Sequence, residues 1–112
     1  MSKVTPKTYR LSKNPYLVTS LDISIGHITL KDCNLLKDAD KGESTNPIVA
    51  YEYTYGYNVY AEKDPGIIRA IREYGYSKEF VSILKRAVKL KCTYIKFDGG
   101  GIVYEDLKTF DL

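Results

Sequence analysis

A single histidine, His27, stands in Ser24-Ile25-Gly26-His27-Ile28-Thr29, between an alternating apolar run and a helix-capping threonine. The free N–H groups and positive end of a helix favour a neutral imidazole at such a place. A neutral ring there bonds neighbouring backbone and fixes the strand-to-helix turn, contacts a ligand, or serves as a general acid or base. Ser24 lies three residues earlier, a spacing that does not by itself bring a hydroxyl to an imidazole, and no Gly-x-Ser-x-Gly motif supports a nucleophile. Asp98 precedes Gly99, Gly100 and Gly101. It either makes an Asx turn or acts as an acceptor beside bare backbone that a ligand can approach closely. The glycine run lacks the spacing and the following helix of a dinucleotide fingerprint or a P-loop.

Five tyrosines, Tyr51, Tyr53, Tyr55, Tyr57 and Tyr60, crowd one segment. They read as core, as a protein interface, or as a stacking platform for bases. Residues 29–64 hold 4 Lys against 7 Asp or Glu, which disfavours phosphate tracking. A different stretch is basic: residues 77–96 carry Lys78, Lys85, Arg86, Lys89, Lys91 and Lys96 against Glu79 alone. Lys78, Lys85 and Lys89 share a helical face with Ser82, either as solvated surface or as an interaction stripe with Arg86. Cys33 and Cys92 are distant from each other and fall in helical patterns, so they read as buried thiols. With one histidine they cannot supply the four ligands of structural zinc. No metal and no cofactor is expected, although a carboxylate-based magnesium site stays open.

These residues must be held by regular elements. Thr19, Leu21, Ile23 and Ile25 alternate with polar residues as in a half-buried strand ended by Gly26. Thr29 then opens a helix as N-cap, with Asp32 as an acidic capping-box partner and Ile28 placed to staple onto Cys33; the helix runs to about Asp40, with Gly42 as stop. Residues 48–62 are the most strand-like part of the chain, and Gly56, with Tyr55, predicts the turn of a hairpin. Asp64-Pro65 starts a short helix that Gly75 closes. Ser77 caps the last helix, with apolar Phe80, Val81, Leu84, Ala87 and Val88 at three- and four-residue intervals. A strand over residues 93–97 and a second over 102–104 predict a closing hairpin.

The order βαββααββ implies an α+β two-layer sandwich: a mainly antiparallel sheet of about five strands with two to three helices on one face, echoing a split βαβ arrangement. With 112 residues, 44% hydrophobic, the chain forms one domain. Residues 1–15 hold Lys3, Lys7, Arg10 and Lys13 and no acid, which predicts a basic, flexible arm. Residues 16–112 carry 13 Lys or Arg against 14 Asp or Glu, so the +3 of the whole chain is not a basic domain. No apolar run reaches the roughly 18 residues of a membrane span, and no secretory signal follows Met1. A cytoplasmic protein is expected.

Five motifs in order carry a resemblance: Ser24-Ile25-Gly26-His27-Ile28-Thr29, Tyr53-Thr54-Tyr55-Gly56-Tyr57, Ala87 with Cys92, Phe97-Asp98, and Leu107 to Leu112. Over residues 17–112 the sequence resembles an uncharacterised family of small bacterial proteins, a domain of unknown function found on plasmids, genomic islands and phages. Ile25 stands where that pattern has Thr, Gly99–Gly101 where it has a more polar loop, and Leu112 where it has Trp. The resemblance implies a mobile-element setting, in which non-enzymatic inhibitors of host defence are common.

The expected function is accordingly a small non-enzymatic binding protein of a phage or other mobile element. It would inhibit a host restriction or CRISPR component by protein contact. The alternative is a nucleotide or single-stranded nucleic-acid binder using His27, Tyr55, Tyr57 and Asp98. Candidate contact residues are Ser24, His27, Tyr55, Tyr57 and Asp98, with the basic stripe Lys78, Lys85, Arg86 and Lys89.

Overall fold

The computed structural model describes residues 7–13, 15–42 and 45–110. The first strand, β1 (Ser20–Ser24), leads through a single 3₁₀ turn, Ile25–His27, into α1 (Leu30–Asp40). The hairpin β2 (Ala50–Tyr53) and β3 (Gly56–Tyr60) follows, then α2 (Pro65–Tyr74), α3 (Lys78–Lys89) and β4 (Tyr94–Asp98). Sheet order is β1-β4-β3-β2, antiparallel except for the parallel β1–β4 pair.

Among the described residues the fold is the expected α+β sandwich with three helices, and its sheet has four strands instead of five. Residues 102–104 form no strand. Gly101 crosses so close to β1 that a Cβ there would lie 2.5 Å from the Ile23 carbonyl oxygen. The chain therefore leaves β4 across the end of β1, giving one bond from the Ser24 amide to the Ile102 carbonyl at 2.8 Å, and does not fold back along β4. The split βαβ echo is present: β1 and β2, joined through α1, run parallel with β4 and β3 between them, and β4 also runs parallel to β1.

The local signals at the helix starts operate as their chemistry predicts. Thr29 accepts the Asp32 amide and Asp32 accepts the Thr29 amide, a complete capping box. Asp64 accepts the amides of Gly66 and Ile67, and Gly75 ends α2 at φ +131°. The hairpin turn is one residue earlier than expected. Thr54 and Tyr55 form it, and Gly56 opens β3, where a Cβ would meet the Phe97 carbonyl oxygen at 1.8 Å. Only glycine permits that approach of β3 to β4.

Strand alternation fills one face of the sheet with Ile23, Val59, Ile95 and Phe97, all fully buried. The helices cover this face. Tyr76, Phe80 and Phe97 stack in series, with ring centroids 4.6 and 5.7 Å apart, each burial contributing roughly 1.5–3 kcal/mol. The Tyr76 hydroxyl donates to Asn46 at 3.0 Å, which satisfies its polar tip inside the core. Burial raises the pKa of this phenol. Cys33 and Cys92 are half-buried free thiols, less enclosed than expected, and burial pushes the Cys33 thiol up, away from reactive thiolate.

Of the expected basic arm, residues 1–6 and 14 lie outside the described residues. Residues 7–13 are exposed, with a turn closed by the Lys13 amide on the Arg10 carbonyl at 3.0 Å. Among the described residues no helix is long and apolar enough to cross a membrane.

Candidate functional site

Two surfaces gather the polar and aromatic groups of this domain. The first is the sheet face that no helix among the described residues covers. A two-residue hairpin loop pairs Tyr53 with Gly56, residues of opposite parity, so Tyr51 and Tyr53 point to the uncovered face while Tyr57 and Val59 point into the core. Tyr60, Tyr94 and Lys96 join the uncovered face through the same register. Tyr51 is 62% exposed and Tyr55, on the turn, 70%, whereas Tyr57 is only 8% exposed.

The centre of this face is fixed by hydrogen bonds. The Tyr53 hydroxyl donates to the Asp98 carboxylate, whose other oxygen accepts the Gly100 amide at 2.7 Å. Asp98 thus makes the Asx turn and also orients a tyrosine. These donors hold the Asp98 carboxyl below the usual carboxylate range, while desolvation and the adjacent carboxylate push the Tyr53 phenol well above the usual tyrosine range. The Tyr53 and Tyr55 rings meet edge-on at 6.5 Å, Tyr60 and Tyr94 at 6.2 Å, and the Lys96 ammonium lies 5.7 Å from the centre of the Tyr53 ring. An aromatic surface ordered before any partner arrives loses less entropy on binding.

The second surface is a groove between α3 and residues 104–108. Ser77 starts α3 by accepting the Phe80 amide at 3.0 Å, while its own amide and hydroxyl donate to buried Asp32 at 2.8 and 2.5 Å. This join ties α3 to α1 and sets the direction of the basic stripe. Lys78, Lys85, Arg86 and Lys89 all line the groove. Its opposite wall is held by His27, which is 1% exposed. The Tyr104 amide donates to His27 Nε2 at 2.9 Å, so Nδ1 carries the proton and donates to the Lys108 carbonyl at 2.8 Å. The Phe110 amide reaches the Gly26 carbonyl at 2.7 Å and the Tyr104 hydroxyl reaches the Asp22 carbonyl at 2.8 Å.

The five predicted contact residues therefore divide. Ser24, Tyr55 and Asp98 lie at one end of the sheet: Ser24 pairs with Asp98 in register, and the Gly99 amide bonds the Tyr55 carbonyl at 2.8 Å. His27 is buried under the C-terminal segment, and Tyr57 faces the core, where burial raises its phenol. The Ser24 hydroxyl accepts the Gly26 amide at 3.1 Å, and both His27 nitrogens bond backbone, so these two side chains form no nucleophile–base pair. Among the described residues no three His, Cys, Asp or Glu side chains come together as a metal site. Tyr53 is not among the contact residues expected from sequence, although it sits in the same Tyr-rich run. Counting backwards from a Thr54–Tyr55 turn is the signal that singles it out.

The fold and its two surfaces define a small two-layer α+β domain with a tyrosine-rich open sheet. Residues 20–112 match the C-terminal domain of a family of unknown function (DUF5983), and the chain belongs to that family. No curated protein and no solved structure matches the chain.

Proposed function

We propose that this chain is a small non-enzymatic binding protein whose uncovered tyrosine face occupies a surface of a partner protein. The observation that supports this most is the ordered set of Tyr51, Tyr53, Tyr60 and Tyr94 on a sheet face that no helix covers, with Tyr53 pinned by Asp98. Tyrosine brings large amphipathic contact area at low rotamer cost, which is why it dominates protein interfaces. The proposed partner is a component of a host restriction or CRISPR system, met in the cytoplasm. That choice rests on the mobile-element setting implied by the resemblance.

Single-stranded nucleic acid is the second reading, since aromatic residues on an open sheet are also how bases are stacked. The charge on this face argues against it: Asp22 and Asp98 flank Lys96, a net negative centre that repels phosphate. A nucleotide pocket joining His27, Tyr57 and Asp98 has no support in their placement, because Tyr57 and Asp98 point to opposite faces of the sheet.

The test is co-purification from host lysate with the intact chain and with the paired Tyr51→Ala and Tyr94→Ala variant. A stoichiometric host protein retained by the first and lost by the second is the expected result. Recovery of no stoichiometric protein partner sinks the proposal, and binding to oligonucleotides that weakens steeply with salt favours the second reading.

A further inference from the structure

The groove along α3 has a composition that the tyrosine face does not share. It consists of two adjoining clefts of about 390 and 580 Å³, joined through Ser82, Ile83, Asp106 and Leu107, which line both. A third hollow on the other side of Ser82 adds Arg72 to Lys78 and Lys85. The cations along this path are Arg72, Lys78, Lys85, Arg86, Lys89 and Lys108, and the only acids are Glu79 and Asp106.

Arg86 is paired with Asp106 at 4.0 Å, both side chains being mostly exposed, a contact worth little in water. Among the described residues Lys78, Lys85 and Lys89 make no ion pair. Placed seven and four residues apart, they form a row about 16 Å long on one side of α3. The floor between this row and the C-terminal segment is apolar, built from Leu21, Ile83, Leu90 and Leu107.

We propose that this groove binds an acidic segment of a partner protein in which carboxylates alternate with large apolar side chains. Its carboxylates would meet the unpaired lysine row while its apolar side chains fill the floor. Charge complementarity selects acidic over basic or neutral segments, and a floor built of aliphatic Leu21, Ile83, Leu90 and Leu107 suits aliphatic peptide side chains better than nucleic-acid bases, which stack on aromatic rings. The site lies on the helical side of the sheet, so it is independent of the tyrosine face and of the reading given to that face.

The experiment titrates the intact chain with a labelled synthetic peptide of alternating Glu and Leu, with a polyglutamate peptide of the same charge, and with an oligothymidylate of similar length. The alternating peptide is expected to bind, with amide NMR shifts at Ser82 and Leu107 and none at Tyr51 or Tyr94. Affinity should fall about tenfold or more in the Lys85→Gln and Lys89→Gln pair and in Leu90→Ser. These are exposed positions, and circular dichroism verifies that both variants stay folded. Equal or tighter binding of polyglutamate or of the oligonucleotide overturns the proposal, as does undiminished binding by the lysine pair or a shift map on the open sheet face.

Discussion

Asp32, the third residue of α1, accepts the backbone amide of Ser77 at 2.8 Å and its hydroxyl at 2.5 Å, so one buried carboxylate serves the starts of two helices. It also accepts the Thr29 amide at 3.0 Å, which places three donors on a single side chain. The positive ends of α1 and α3 both face it, and a carboxylate is the side chain that such a meeting point stabilises best.

Asp32→Ala leaves those donors without a partner inside the protein. A loss of about 3 kcal/mol or more is expected, from broken charge-assisted hydrogen bonds and a lost cap. Urea unfolding of Asp32→Ala, Ser77→Ala and the double variant checks this. Because both residues act in one join, the double variant should cost less than the two single losses together.

His27→Ala removes the acceptor of the Tyr104 amide and the donor to the Lys108 carbonyl. About 2 kcal/mol or more of stability should go with it. Hydrogen exchange gives the local signature: the Tyr104 and Phe110 amides should exchange faster, while amides of β3 and β4 keep their rank order. Unchanged protection at Tyr104 would remove His27 from this role.

The Tyr53–Asp98 pair makes stability depend on pH at both ends. Asp98 has a lowered pKa in the folded state, so its contribution is present above the ordinary carboxyl value near 4 and disappears as pH falls through the lower folded value. Tyr53 is shifted upward, so its contribution holds below the ordinary tyrosine value of about 10 and is lost as pH rises through the higher folded one. In Tyr53→Phe the Asp98 carboxyl should titrate closer to its ordinary value by carbon NMR. The alkaline absorbance difference between wild type and this variant should lie above the ordinary tyrosine range.

Lys91, one residue past the Leu90 C-cap of α3, takes φ +62°, and the Cys92 amide closes on the Ala87 carbonyl at 2.9 Å. This is a Schellman ending with lysine where glycine is usual. Lys91→Gly should raise stability by about 1 kcal/mol, the cost of the left-handed conformation for a residue with a Cβ. Thermal unfolding reads this directly, and a lowered midpoint would contradict it.

Features fixed by neighbours in the chain were legible in the sequence. Thr29 with Asp32, Asp64 with Pro65, and Ser77 each announce a helix start because their partners lie within three residues. The apolar spacing of Phe80, Leu84 and Ala87 likewise reports the buried side of α3. Features fixed across space were not. The side of the sheet on which a tyrosine falls depends on whether the hairpin turns at Thr54–Tyr55 or one residue later, and the Gly56 contact that settles this is with Phe97. His27 looks the same in sequence whether its ring meets a ligand or the amide of a residue 77 positions away. The extended run after Gly101 carries strand-like residues, yet its hydrogen bonds go to a strand end, a 3₁₀ turn and an imidazole, none of which leaves a periodic mark.

The parallel pairing of β1 with β4 also governs how the chain is made. Ser20 finds its partner Tyr94 only after α1, the hairpin, α2 and α3 have all left the ribosome. Until then β1 is a strand with both edges open, the kind of segment that chaperones shield and that crowded translation exposes to wrong partners. Closing the sheet is therefore a late, long-range step, slow for a domain of this size, and the rate of synthesis past β4 sets how long the unfinished chain stays vulnerable.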